Sequence, residues 1–195
     1  MQIIEAAATV RLSNEWFIDR FERYGTKSLY LPAGETPRLL YADWRLRAPE
    51  ALRQMQLYQV DDITSGKKAG LFRRFFQEEL PGFRVLPPER DVQADLAILG
   101  LGTNGHLAFH EPGMPVSFRF GSVALHPETR ERLGLAPSDE AVSFGLGAFL
   151  ATRSVLLLVR GENKRRAFQA FKNGDPALPA TALQAHSDLT VISEI

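Results

Sequence analysis

A chain of 195 residues, 45% hydrophobic and 24% charged, is sized for one globular domain with a substantial core. Its 23 basic and 23 acidic side chains cancel, which leaves no electrostatic footprint for nucleic acid or an anionic membrane, so a charged ligand must be met locally. The absence of cysteine excludes disulfides, thiolate metal sites and cysteine nucleophiles, and no window approaches the roughly 20 apolar residues of a membrane span. The opening MQIIEAAATVRLS carries no basic leader, and a soluble, cytoplasmic protein is the expectation.

Gln2 to Ile4 reads as a short edge strand. Ser13 then reads as the N-cap of a helix that buries Phe17, Phe21 and Tyr24 and stops at Gly25. Ser28 to Leu31 is the first inner strand, and after Pro32–Pro37 a second helix places Leu39, Leu40 and Trp44 inward. Met55 to Val60 returns as a strand ending in Asp61-Asp62, with Thr64 or Ser65 as cap of a helix whose stripe is Leu71, Phe72, Phe75, Phe76 and Leu80. A short strand, Phe83 to Leu86, precedes the Pro87-Pro88 break, and the apolar run Leu96 to Leu99 is the central strand. Beyond it, Ser122 to Leu125 reads as strand, Gly145 to Leu150 as helix, Val155 to Val159 as strand, Lys164 to Phe171 as helix and Leu189 to Ile192 as the last strand. Strands alternating with helices predict an α/β fold, a mostly parallel, Rossmann-like sheet with helices on both faces and a single domain over residues 1–195.

Three strand ends carry candidate chemistry. The central strand runs into Gly100-Leu101-Gly102-Thr103-Asn104-Gly105-His106-Leu107-Ala108-Phe109-His110-Glu111-Pro112-Gly113, a loop that offers an imidazole and a carboxylate where α/β proteins bind ligands. His106 and Glu111 suit an acid-base pair in which the carboxylate fixes the tautomer of the ring. As metal ligands, His106, His110 and Glu111 are opposed by the Gly and Pro residues around them, which break the helix needed to bring both imidazoles to one face, so no metal and no cofactor are expected. At Pro32–Pro37, Gly34 and Thr36 stand where free amides at a helix N-terminus would face an anion, and Lys164 in Gly161-Glu162-Asn163-Lys164 could add a point charge. The alternatives are an ordinary turn with Thr36 as cap and Pro37 at the first helical position, and a solvated lysine. Asp61, after an apolar strand, is a candidate base if it faces a cleft, or else a capping aspartate, a role that suits Asp62 equally. His126 and His186 read as surface or capping residues.

GLGTNGHLAFHEPG resembles the signature of glucosamine-6-phosphate deaminases, G-x-G-x-D-G-H-I-A-F-N-E-P, with its spacing kept. LPAGETPRLLY is similar to the phosphate loop of that family, VDD to its catalytic aspartate segment, GENK to its phosphate lysine, and LPATALQAH to its P-A-S-x-L-Q-x-H stretch. The resemblance runs nearly end to end and implies a Rossmann-like enzyme acting on a small sugar phosphate, with homo-oligomers known among its members. It implies that Asp61 moves a proton between C2 and C1 of an opened hexosamine 6-phosphate and that His106 assists ring opening. Glu111 would orient His106 and stabilise its charge, and Gly34, Thr36 and Lys164 would hold the 6-phosphate.

The chain departs from the pattern at several positions. Asn104 stands where most deaminases have an aspartate, a substitution more like the galactosamine-6-phosphate branch, and Glu111 is expected to compensate. Glu35 occupies a small position of the phosphate loop and must point outward. His110 replaces an asparagine, and the serine- and arginine-rich segment of the family survives only at Arg119, so the amino-sugar effector site of some hexameric members is not expected. Val85 to Asp95 is short and lacks the usual helix. Two other readings stand beside the deaminase: a 6-phosphogluconolactonase-like hydrolase, which shares the phosphate loop and the Gly-His, and a sugar-phosphate sensor without turnover.

Overall fold

The computed structural model describes residues 1–195, and its frame follows from strands that are apolar on both faces. β1 (Gln2–Glu5) leads to α1 (Thr9–Tyr24), β2 (Ser28–Leu31), α2 (Arg38–Arg47), the single turn α3 (Glu50–Arg53) and β3 (Gln56–Gln59). β4 (Asp61–Ile63), α4 (Leu71–Glu79), β5 (Val85–Leu86) and β6 (Leu96–Gly100) complete the first half. The second half holds β7 (Phe120–Val123), α5 (Pro127–Leu133), β8 (Ala141–Phe144), α6 (Leu146–Phe149), β9 (Ser154–Arg160), α7 (Arg165–Lys172) and β10 (Leu189–Glu194), with 3-10 turns at Glu162–Lys164 and Pro179–Ala185.

Seven strands form one sheet in the order β1-β10-β9-β6-β2-β3-β5, with every pairing parallel. In β6, Leu96 and Ile98 pack with Trp16, Phe17, Tyr41 and Trp44 under α1 and α2. Ala97 and Leu99 pack on the other face with Tyr30, Phe144, Phe149, Phe168 and Phe171. A sheet covered on both sides is what uninterrupted runs such as LAIL and VLLLV dictate. β4, β8 and β7 make a second, antiparallel sheet over a small cluster of Ile63, Phe109, Leu125 and Ala141.

Several elements differ from the sequence expectation. α1 starts at Thr9, so Ser13 is not its cap but a buried helical residue whose hydroxyl donates to the Thr9 carbonyl at 2.7 Å. Phe17 is fully buried, Phe21 and Tyr24 only partly, and Gly25 ends the helix in the left-handed conformation as expected. α2 buries Leu40, Tyr41 and Trp44 while Leu39 stays exposed; Tyr41 is tolerated inside because its hydroxyl donates to the Pro32 carbonyl at 2.8 Å. The chain does not stop at Asp61-Asp62 but crosses there from the main sheet into β4. β8 and α5 had no sequence expectation: β8 is short, and the PETRERL of α5 shows almost no apolar stripe. The connection from β5 to β6 runs without a helix, as expected, and is pinned by Asp95, whose Oδ2 accepts from the amides of Lys27 at 2.8 Å and Ser28 at 3.1 Å.

The helix α4 is capped by Asp62 rather than by Thr64 or Ser65. Its Oδ1 accepts from the Phe72 amide at 2.9 Å and its Oδ2 from the Arg73 amide at 3.3 Å. Because Asp62 is buried, Asp62→Ala orphans those donors, and the expected loss is about 2 kcal/mol in chemical denaturation. An unchanged midpoint and slope would show that α4 is held by its apolar face alone.

Candidate active site

The carboxyl ends of β2, β6 and β9 open into one cleft of about 500 Å³. Gly34, Thr36, Asp61, His106 and Lys164 all line it, although they lie on separate stretches of the sequence. Asn104 and Glu111 do not reach the cleft and instead stand behind His106.

At one part of the cleft the chain leaves β2 through Pro32–Pro37. Gly34 takes a φ of 105°, a region that excludes side-chain-bearing residues, and the amides of Gly34, Glu35 and Thr36 make no hydrogen bond within the chain. Glu35 points outward, its side chain 85% exposed, and pairs with Arg38 at 3.2 Å. Thr36 is not a helix cap: α2 begins at Arg38 with Pro37 in the N-cap position and no side-chain cap. Half-buried Lys164 faces the same space from the 3-10 turn after β9, and burial, then the Arg132 charge, push its ammonium below the usual lysine value. Arg132, Arg160 and Asn163 also line the cleft and were not picked out from the sequence. Arg160, the one charge ending the apolar run SVLLLV, was legible in principle, whereas Arg132 belongs to a helix with no motif.

The signature loop folds His106 back over its own start. A Cβ on Gly102 would lie 2.4 Å from the imidazole, so only glycine admits the ring there. The Ala180 amide donates to the Gly105 carbonyl at 3.0 Å, so the LPATALQAH stretch buttresses the loop, and the Phe109 amide donates to Ser143 Oγ at 3.1 Å on β8. His106 Nδ1 lies 2.5 Å from Asn104 Oδ1, and Asn104 Nδ2 donates to Glu111 Oε2 at 3.1 Å. Glu111 Oε1 accepts from Thr129 Oγ1 at 2.5 Å.

The direct His106–Glu111 contact expected from the sequence is corrected, since Nδ1 and Oε2 are 3.8 Å apart and the Asn104 amide lies between. A carboxylate accepts only, so Glu111 turns the amide nitrogen of Asn104 toward itself and its oxygen toward the ring. That oxygen requires a proton on Nδ1 and leaves the lone pair on Nε2. Burial pushes the imidazole down to about 4, against the pull of Glu111, so the ring is neutral at pH 7.

Asp61 is 5% exposed at the start of β4. Burial, then the adjacent Asp62 carboxylate, push it well above the usual carboxylate range, with Arg132 pulling the other way. His110 is fully buried and its Nδ1 accepts from the Leu146 amide at 3.2 Å, a packing role. His186 is likewise buried rather than at the surface: Nε2 donates to the Thr152 carbonyl at 2.9 Å and Nδ1 accepts from the Asp188 amide at 3.1 Å. His126 is an exposed N-cap residue of α5 without a side-chain cap bond. No group of three or more His, Asp or Glu side chains is placed to hold a metal ion.

Residues 75–192 match the profile of the family described as glucosamine-6-phosphate isomerases/6-phosphogluconolactonase. The chain belongs to this family. The matched segment contains Asn104, His106, Glu111 and Lys164; Gly34, Thr36 and Asp61 precede it. A glucosamine-6-phosphate deaminase of Bacillus velezensis is 37% identical over 107 residues, 51% of this chain and 44% of that protein. One of Alkaliphilus oremlandii is 36% identical over 106 residues, 50% of this chain and 44% of its own length. The match thus spans less than half the length of these relatives. The fold is similar to that of a monomeric glucosamine-6-phosphate deaminase, with TM-score 0.82 at 22% identity over 100% of this chain and 97% of that one. A 6-phosphogluconolactonase of Thermotoga maritima gives TM-score 0.75 at 16% identity over 100% and 99%.

The relay makes the titration of His106 specific. Its NMR midpoint is expected at about 4, and Glu111→Gln, which removes the charge that raises it, should move the midpoint lower still. A folded value below the unfolded 6.5 means that the unfolded chain binds more protons between the two, so this ring lowers stability as pH falls through that window. Asp61 has the opposite sign: held above 3.8, it binds more protons folded than unfolded, and stability falls as pH rises past that value. A midpoint that stays or rises in Glu111→Gln would refute the electrostatic link.

Proposed function

We propose that the cleft isomerises and deaminates a hexosamine 6-phosphate to a ketohexose 6-phosphate and ammonia. The observation that supports this reading best is the gathering of a buried carboxyl, a neutral imidazole and an unpaired amide loop with three cations in one space. The phosphate lies against the amides of Gly34 to Thr36 and the charges of Lys164 and Arg132. His106, with its lone pair on Nε2, takes the anomeric hydroxyl proton and delivers it to the ring oxygen, which opens the pyranose. Asp61 removes the C2 proton while the 2-ammonium gives one to the aldehyde oxygen, which yields the enolamine, and Asp61 then returns its proton to C1, leaving an iminium at C2. Water adds there and ammonia leaves. No redox step is involved, and the protons moved to the ring oxygen and to C1 are carried by side chains already in the cleft.

Residues 1–195 are read as one domain of this kind, with a sugar phosphate as partner. The Asn104 to His106 spacing, kept with Asn rather than Asp, makes the C4 epimer, galactosamine 6-phosphate, a substrate to assay beside glucosamine 6-phosphate. A 6-phosphogluconolactonase-like hydrolase remains the second reading, because solved lactonases share the fold. It predicts acid rather than ammonia as product, and a sensor predicts neither.

Ammonia release from both hexosamine 6-phosphates is the deciding assay. Asp61→Asn should abolish turnover and solvent-deuterium incorporation at C1 while leaving substrate affinity within about threefold, because the group acts in the transition state. Lys164→Ala should weaken binding of 6-phosphosugars about tenfold or more and spare the unphosphorylated sugar. Acid production from 6-phosphogluconolactone without ammonia release from either amino sugar would replace the deaminase reading by the hydrolase.

A further inference from the structure

Helix α5 does two things at once. Thr129 and Arg132, three residues apart, share one face of the helix: Arg132 lines the cleft, and Thr129, only 2% exposed, donates to Glu111 Oε1 at 2.5 Å. Glu111 is pinned at both oxygens, by Thr129 and by Asn104, and the second bond sets which face of the amide meets His106. Nothing else in the chain donates a side-chain hydrogen bond to Oε1. A slight withdrawal of α5 would therefore free the carboxylate to swing, and with it the amide and the ring.

The charges in the cleft act on the same helix. Arg132 and Lys164 face one space without a carboxylate pairing either directly; the Arg132 charge disfavours that of Lys164, and Glu128, also on α5, acts on it in the opposite sense. An anion held between the two cations attracts both and draws α5 inward, toward the Thr129–Glu111 bond.

We propose that Thr129 is a positioning residue that couples anion binding in the cleft to the orientation of His106 through Glu111 and Asn104. This rests on the reading of the cleft as a phosphate site. Coupling of this kind is reciprocal: if the anion steadies the Thr129–Glu111 bond, the bond must strengthen anion binding by the same factor, although Thr129 never touches the anion.

The test is calorimetric titration of inorganic phosphate into the parent, Thr129→Val, Thr129→Ser, Arg132→Ala and the Thr129→Val/Arg132→Ala pair. Thr129→Val, which keeps the shape and removes the donor, should weaken phosphate about fivefold, and Thr129→Ser should restore it. In the Arg132→Ala background Thr129→Val should have no further effect on phosphate, because the helix no longer feels the anion. With hexosamine 6-phosphate at saturation, Thr129→Val should also lower kcat, a loss that mere weakening of phosphate binding would not produce. Amide exchange gives a readout that needs no Thr129 variant: phosphate should protect residues 127–133 in the parent and not in Arg132→Ala. Equal phosphate affinity in parent and Thr129→Val, an equal loss in both backgrounds, or α5 protection unchanged by bound phosphate would overturn the proposal. Those outcomes leave the phosphate reading standing, whereas a parent that binds no phosphate or 6-phosphosugar would defeat that reading and this one with it.

Discussion

β6 is paired on both edges, by β9 and β2, and buried on both faces, so none of its first four side chains can be polar and solvated. The constraint is released at Gly100, where the strand ends, and everything polar in the cleft is placed by that release. β2 and β9 run parallel to β6, with Leu29 opposite Leu96 and Gly100 opposite Leu158, so β2 ends short of Gly100 and β9 runs on past it to Arg160, all three opening at the carboxyl edge of the sheet. Gly34, His106 and Lys164 meet there because three hydrophobic runs end at the same edge of the sheet. A parallel sheet thus converts the lengths of its apolar segments into the position of its functional groups.

The relay behind His106 shows what an amide does where a carboxylate is the commoner choice. Asn104 passes orientation from Glu111 to the ring but transmits no formal charge, since its dipole only aligns between an acceptor and a donor. An aspartate at that position would set a second carboxylate within hydrogen-bond distance of Glu111 in a buried pocket, and one of the two would have to be protonated. The amide avoids that conflict and leaves the countercharge to Glu111, one residue further from the imidazole. In the proposed reaction the ring is then a weakly basic, well-oriented acceptor rather than a stabilised imidazolium.

Much of the fold was legible because parallel, doubly covered strands announce themselves as apolar runs, unbroken in the LAIL of β6 and the VLLLV of β9: β2, β6, β9 and β10 coincide with the stretches read from the sequence. The antiparallel sheet was not legible, because β4 is the polar Asp61-Asp62 followed by one isoleucine, and β8 is four residues whose partners lie far along the chain. Cap positions failed for a similar reason. Asp62 reaches the α4 amides across a loop, a tertiary contact that local spacing does not encode. At the cleft, Thr36, Asp61, His106 and Lys164 were visible as polar residues beyond the end of an apolar run and Gly34 as a free amide before a helix, and Glu35 could be sent outward by charge alone. Arg132 was invisible, since nothing in PETRERL says which of its four long charged side chains will face the cleft, and the position of Asn104 between Glu111 and His106 depends on a turn whose closure only the folded loop defines.

The sheet order also sets an order of events in folding. β1 at the N-terminal end has no neighbour except β10, whose residues 189–194 lie at the opposite end of the chain, and β10 is itself the only link between β1 and β9. During synthesis β2, β3, β5 and β6 can pair while the rest is still being made, but the first strand must wait with its amides and apolar side chains unpaired until the last one emerges. At a typical rate of about 5–20 residues per second that wait lasts on the order of ten seconds or more. β1 is short, four residues, and ends in Glu5, features that keep an idle edge from pairing with other chains. A long apolar strand in its place would spend the same interval as a template for aggregation.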